Sequence, residues 1–191
     1  MAASSESPQI VMDADALNAF MTEAFGQPLS WTIERVDLGG IRVRQPTSDG
    51  DLRPGGTVSG PTLMSMADGV AYMVVLSRIG PAALAVTSNL TINFLRRPRL
   101  VDLVTDARLL KLGRSLAVTD VLMYSDDGTA DALERPVAQA TVTYSLALLD
   151  LPGNADAGEI AAGRTGVVVA GNADAGAVPA NTTPPTPGGT T

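Results

Sequence analysis

The stretch SGPTLMSMADGVAYMVVLSRIGP, residues 59–81, decides the fold. Leu63, Ala67, Val70 and Val74 mark one helical face, and Met64, Ala71 and Val75 mark another, so the spacing predicts a helix over 60–79 that is apolar nearly all round. Such a helix must be buried on most sides. Pro61 suits its first turn, where a missing N–H costs nothing. Gly80-Pro81 ends it.

Working outward, the segments on either side read differently. Residues 13–25 predict a short helix, with Asp13 or Asp15 as cap and Leu17, Phe20, Met21 and Phe25 as its apolar stripe. Trp31, Ile33 and Arg35 alternate with Thr32 and Glu34, Gly39-Gly40 turns, and Ile41 and Val43 continue, which reads as a hairpin. Pro46 to Gly56 is a loop by composition. After residue 82 the period becomes two. Leu84, Val86, Leu90, Ile92 and Phe94 alternate with Thr87, Asn89, Thr91 and Asn93, and Val101–Leu110, Leu116–Tyr124 and Val137–Leu148 read as three more strands. One apolar helix followed by a meander of long strands predicts an α+β fold, with an antiparallel sheet wrapped around that helix.

Composition limits the chemistry. The chain has 191 residues, 45% of them apolar, with 13 basic against 20 acidic residues and a net charge of -7. That balance argues against general nucleic-acid binding, which needs a basic surface. No cysteine and no histidine are present. Disulfides, thiolate metal sites, Ser-His-Asp and Cys-His catalysis are thereby excluded, and any chemistry rests on carboxylates, hydroxyls, Lys, Arg or backbone groups. The longest unbroken apolar run, Val70 to Leu76, is far short of the roughly 20 residues that cross a bilayer. The N-terminus lacks the pattern of a secretory signal. The expectation is a soluble, cytoplasmic protein without a membrane or nucleic-acid partner.

The domain is expected over 13–149, with residues 1–12 as a flexible lead-in. From 150 to 191 the chain is rich in Ala, Gly, Pro and Thr, carries GNADAG twice, at 153–158 and 171–176, and ends TTPPTPGGTT. That composition predicts a disordered extension.

Asp68 is the only charged side chain between Pro54 and Ser77. Burying an unpaired carboxylate is costly. Three explanations remain open from spacing: an exposed edge of the helix, a structural pair with an Arg, or a reactive group. Thr57-Val58-Ser59-Gly60-Pro61 puts a glycine beside the helix N-cap, where free N–H groups and the helix dipole favour negative charge such as a developing oxyanion. Gly60 and Asp68 are eight residues apart, about 12 Å along one helix. They cannot both reach one carbonyl within a chain, so a site using both needs the Gly60 end of one subunit and Asp68 of another. Arg96, Arg97, Arg99, Arg108, Lys111 and Arg114 place six of the 13 basic residues within nineteen positions. With Asn93 and Ser115 they would hold pyrophosphate and phosphate groups, or else are strand-end charges paired with Asp102 and Asp106.

With these residues in view, RPGGTVSGPTLMSMADGVAYM (53–73) resembles the helix signature of hotdog-fold acyl-CoA thioesterases of the phenylacetate-pathway, PaaI-like type. TSNLTINFLRRP (87–98) resembles the strand motif that follows, and LLKLGRSLAVTDV (109–121) the strand turn that meets CoA. The resemblance runs from about Trp31 to Ser145. It implies a hotdog fold, active sites at the interface of a homodimer or a homotetramer built from two dimers, an acyl-CoA substrate and no cofactor beyond the CoA of the substrate. It also implies Asp68 as nucleophile or general base and the Gly60 N–H as the group polarising the thioester carbonyl. Ser59, Thr62, Asn89, Asn93, Arg96, Arg97, Lys111, Gly113, Arg114 and Ser115 fall where CoA or substrate would be met. Met64, Met66, Tyr72 and Met73, with Val86, are the expected acyl pocket. Two departures matter: Ser59 stands where His is usual, and Pro61, which has no N–H, stands where a second Gly is usual. Asn89 also stands where an acidic residue is common. The expected activity is hydrolysis of a short- or medium-chain or aromatic acyl-CoA. A non-catalytic acyl-CoA-binding module of the same fold is the alternative.

Overall fold

The computed structural model describes residues 9–146. The extension over 150–191, both GNADAG copies, the last residues of the expected final strand and most of the lead-in lie outside that range. Helix α1 spans Ala14–Phe25, and Asp13 caps it by accepting the Ala16 N–H at 2.9 Å. Strands β1 (Thr32–Asp37) and β2 (Gly40–Gln45) form the expected hairpin. The expected loop over 46–56 contains a 3-10 turn, Asp49–Asp51, and a two-residue strand β3 (Leu52–Arg53) paired with β4 (Thr57–Val58). Helix α2 spans Gly60–Ile79, and β5 (Val86–Phe94), β6 (Leu103–Leu112), β7 (Leu116–Ser125) and β8 (Ala138–Ser145) follow.

The six long strands make one antiparallel sheet in the order β1-β2-β6-β7-β8-β5. In β8, Ala138, Ala140, Val142 and Tyr144 are buried while Gln139, Thr141, Thr143 and Ser145 are half-buried. That alternation is the mark of a sheet with one face on the core. The buried face closes on α2, whose Leu63, Met66, Ala67, Val70, Met73 and Val74 are fully buried beside Ile41, Leu103, Val121 and Met123. This is the hotdog arrangement. With its 20 residues, α2 has the length and hydropathy of a membrane span, which inspection of the shorter run Val70–Leu76 does not reveal. Here the sheet covers it. From the lead-in, Val11 donates its N–H to the Ser77 carbonyl at 2.8 Å, and Met12 is buried.

Strand β5 departs from simple alternation. Its register against β8 shifts between Thr87 and Asn89, so Thr87 lies opposite Tyr144 and Leu90 opposite Val142. A bulge at Ser88 therefore puts Thr87 on the same side as Leu90, three residues away. Leu84 and Val86, on the apolar side of the alternation expected from sequence, are exposed. β5 is also an edge strand, with its outer row of backbone groups unpaired within the sheet and seven of its nine residues exposed.

Candidate active site

Asp68 sits on the third turn of α2, half-buried, where the helix faces α1 and the start of β5. Thr87 donates its hydroxyl to Asp68 Oδ1 at 2.6 Å. Tyr144 donates to the same oxygen at 2.8 Å, with the Asp68 backbone carbonyl at 2.9 Å as a second acceptor. Among the described residues no Arg or Lys forms an ion pair with Asp68. The structural Arg pair considered from sequence is therefore absent among the described residues. Burial pushes the Tyr144 hydroxyl far above its ordinary value of 10, and the Asp68 charge raises it further. Tyr144 is thus a neutral donor at neutral pH.

Two cavities open beside Asp68. One, of about 410 Å³, lies between Trp31, Pro28, Ser65 and Gly69. The other, of about 250 Å³, lies between Tyr72, Ala85, Thr87 and Tyr144. Met21 and Phe25 of α1 border both. Tyr72, expected in the acyl pocket, lines the second cavity. Met66 and Met73 do not line either: both are fully buried in the core, because α2 is wrapped on the sides they occupy. Met64 is 42% exposed and borders neither cavity. Met21 and Phe25 line both cavities, and Trp31 lines the first. In sequence they read only as the stripe of a short helix and the start of a hairpin.

The N-terminus of α2 forms a second centre. Ser59 caps it, accepting the Thr62 N–H at 3.3 Å, and the two hydroxyls lie 2.9 Å apart. Thr62 also reaches Asp51 Oδ1 at 3.4 Å. Ser59 and Thr62 are therefore engaged in building the helix start. Gly60 borders a cavity of about 420 Å³ with Arg53, Phe94, Arg96 and Arg97. A Cβ on Gly60 would come within 3.3 Å of the Phe94 ring, so the glycine lets that ring lie against the helix start.

The basic residues, contiguous in sequence, divide in space. Arg96 and Arg97 follow the end of β5 at Phe94, which pairs with Ala138. Lys111 at the end of β6 and Gly113, Arg114 and Ser115 on the β6–β7 turn sit beside the Leu116–Ser145 pair at the opposite end of the sheet, about 25 Å away at strand spacing. Several are already engaged. Arg96 donates to the Pro136 carbonyl at 2.8 Å, Arg99 pairs with Asp127 at 2.6 Å, and Arg108 pairs with Asp120 at 3.0 Å. Gly113 donates its N–H to the Leu116 carbonyl, and the Ser115 carbonyl accepts from Leu146. Asn89 accepts from Thr91, and Asn93 donates to Gln139.

Thr87 and Tyr144 escaped the sequence reading. They lie 19 and 76 residues from Asp68. The bulge that turns Thr87 inward breaks the only periodic signal available, and Tyr144 reads as an ordinary core residue of a strand.

Comparison with known proteins agrees with this fold. A family model described as thioesterase superfamily matches residues 55–132. A solved structure from Silicibacter sp. TM1040, provisionally assigned as a thioesterase, is 43% identical over 73% of this chain and 95% of its own, with a TM-score of 0.64. A phenylacetic acid degradation-related protein from Ralstonia eutropha JMP134 is 30% identical over 67% of this chain and 99% of its own, at a TM-score of 0.56. A hypothetical thioesterase protein from Streptococcus pneumoniae TIGR4, solved with coenzyme A, is 25% identical over 70% of this chain and 95% of its own, at a TM-score of 0.54. An antiparallel sheet around one central helix, a family match over that helix and the strands after it, and a 43% identical relative spanned almost end to end lead to one assignment: the chain belongs to the thioesterase superfamily and is a thioester hydrolase.

Proposed function

We propose that the protein hydrolyses acyl-CoA thioesters at sites shared between two subunits, with Asp68 of one and the Gly60 N–H of the other acting on the same carbonyl. The observation that carries this reading is the Asp68 carboxylate, held by two hydroxyls beside two cavities and paired with no Arg or Lys among the described residues. Asp68 either takes a proton from water as that water attacks the carbonyl, or attacks the carbonyl itself. The first route gives a tetrahedral oxyanion that collapses by breaking the C–S bond, and the leaving thiolate recovers the proton. The second gives a mixed anhydride and free CoA, and water then cleaves the anhydride. On both routes the oxyanion lies at the amide-rich end of the partner's α2.

The exposed edge of β5 supports the shared site. Gly60 lies against Phe94 at one end of this strand, and Asp68 is bonded to Thr87 at the other. Antiparallel pairing of two β5 edges about a twofold axis sets the Phe94 end of one beside the Thr87 end of the other. The same pairing brings Arg96 and Arg97 of one subunit toward Lys111 and Arg114 of its partner. The divided basic residues then make one surface for the phosphates of CoA. The relative solved with coenzyme A is consistent with that ligand.

The test is thiol release from short, medium and aromatic acyl-CoAs. Asp68→Ala should lower kcat/KM by about a hundredfold or more on any substrate the wild type cleaves. Unchanged turnover in that variant would remove Asp68 from the mechanism. Binding of acyl-CoA without thiol release by the wild type would leave a binding module.

A further inference from the structure

We infer that Tyr144 is a positioning residue for Asp68, selecting which carboxylate oxygen meets the substrate and following the charge of that group through the reaction. The inference rests on Asp68 being the reacting carboxylate. Both hydroxyl contacts fall on Oδ1, at 2.6 Å from Thr87 and 2.8 Å from Tyr144. Oδ1 is therefore the anchored oxygen, and Oδ2 is the one left for water or for the thioester carbon.

The two donors differ in rigidity. Thr87 stands beside the bulge of β5 and is exposed within the subunit. Tyr144 is 3% exposed, on a strand paired on both sides. Its ring stacks on Tyr72, with centroids 5.6 Å apart and planes 19° from parallel. Tyr72 is itself fixed by its hydroxyl, which donates to the Ala82 carbonyl at 3.0 Å, and by Phe20, whose ring centroid lies 6.5 Å away. The Tyr144 oxygen is thus set by packing before Asp68 adopts any rotamer, and a preset donor limits what the short Asp side chain can do.

The hydroxyl has one hydrogen and two acceptors in reach, the carboxylate oxygen at 2.8 Å and the Asp68 backbone carbonyl at 2.9 Å. A charged carboxylate is the stronger acceptor. When Asp68 takes a proton from water, Oδ1 weakens as an acceptor and the carbonyl remains available to the same hydrogen. The O–H turns between two partners, and neither state leaves it buried and unpaired. The hydroxyl was not needed merely to satisfy a buried tyrosine, because the helix carbonyl alone would do that. Its second contact, to the carboxylate, is the one tied to chemistry.

Tyr144→Phe keeps the ring, its stack on Tyr72 and its volume, and removes only the donor. The expected result is a kcat lowered on the order of tenfold, with KM within about twofold and an unchanged thermal midpoint. A merely structural tyrosine would lower the midpoint and leave kcat per folded site intact. The decisive measurement is the cycle with Asp68→Ala. Groups acting as a unit are non-additive, so in the Asp68→Ala background Tyr144→Phe should change the residual rate less than about twofold. Wild-type kcat in Tyr144→Phe, or the same tenfold loss in both backgrounds, overturns the inference. Wild-type turnover in Asp68→Ala alone overturns instead the reading beneath it, so the two failures are told apart by one set of four proteins.

Discussion

A glycine inside a helix costs about 1 kcal/mol against alanine, so Gly69 calls for a compensating contact. The structure supplies one: a Cβ there would lie 2.5 Å from the outer edge of the Trp31 ring. The missing side chain lets the indole lie directly on α2, next to Asp68, where it walls the larger cavity. Propensity alone makes Gly69→Ala stabilising, and the clash opposes it by about 1–3 kcal/mol of overpacking. We expect the clash to win, giving a net loss of about 1 kcal/mol in a urea titration. Trp31 is the only tryptophan, so its fluorescence reports the displacement directly. A stabilised Gly69→Ala with unchanged emission would mean that the indole moves aside freely. At this scale the sequence was partly legible. Asp68 stood out because it is one charge in a long uncharged run. Trp31, Thr87 and Tyr144 did not, because their contacts to the Asp68 turn depend on strand register and on a bulge, neither of which leaves a mark in local spacing.

Between elements, Arg44 of β2 ties three segments together. It bonds Glu34 of β1, Asp102 before β6 at 3.4 Å and Asp126 after β7 at 2.8 Å. Its guanidinium, with the Gly128 N–H, holds the Asp126 carboxyl below the ordinary value of 3.8. A depressed carboxylate contributes stability above its unfolded pKa and loses it as pH falls through the folded one. Arg44→Met should therefore lower stability by on the order of 1 kcal/mol at neutral pH, and the gap to wild type should narrow as the pH falls below 3.8. Urea midpoints of both proteins at pH 7 and pH 3 check the sign, and a gap that widens in acid contradicts it. The elements themselves were legible because each has a strong period: α2 by its length and apolarity, and β6, β7 and β8 by alternation. The basic segment was legible as composition only. Six cations within nineteen positions look like one patch, yet Lys111 at the end of β6 and Arg114 on the turn after it lie a full strand length from Arg96 and Arg97. Helical period likewise could not tell the core methionines, Met66 and Met73, from pocket methionines, since apolar residues lie on both the covered and the open sides of the helix.

For the whole molecule, the proposed shared site makes a quantitative demand. Gly60→Pro removes one backbone N–H. In the first turn of a helix that group has no i−4 partner to lose, and Ser59, at φ −76° and ψ 155°, already has the extended conformation that a following proline requires. The added ring presses on Phe94, which is 54% exposed and has room to shift. Gly60→Pro should thus fold, pair and lose activity, as Asp68→Ala does. When the two inactive proteins are mixed and their subunits exchanged, half of the dimers become mixed dimers. Each mixed dimer holds one site with both groups intact and one with neither, so activity should return to about a quarter of wild type. If instead Gly60 and Asp68 acted within one chain, every subunit in every mixture would lack one of them and nothing would return. The roughly 12 Å that eight residues of helix put between the two groups is what makes these outcomes differ, and recovery or its absence in one mixing experiment decides between them.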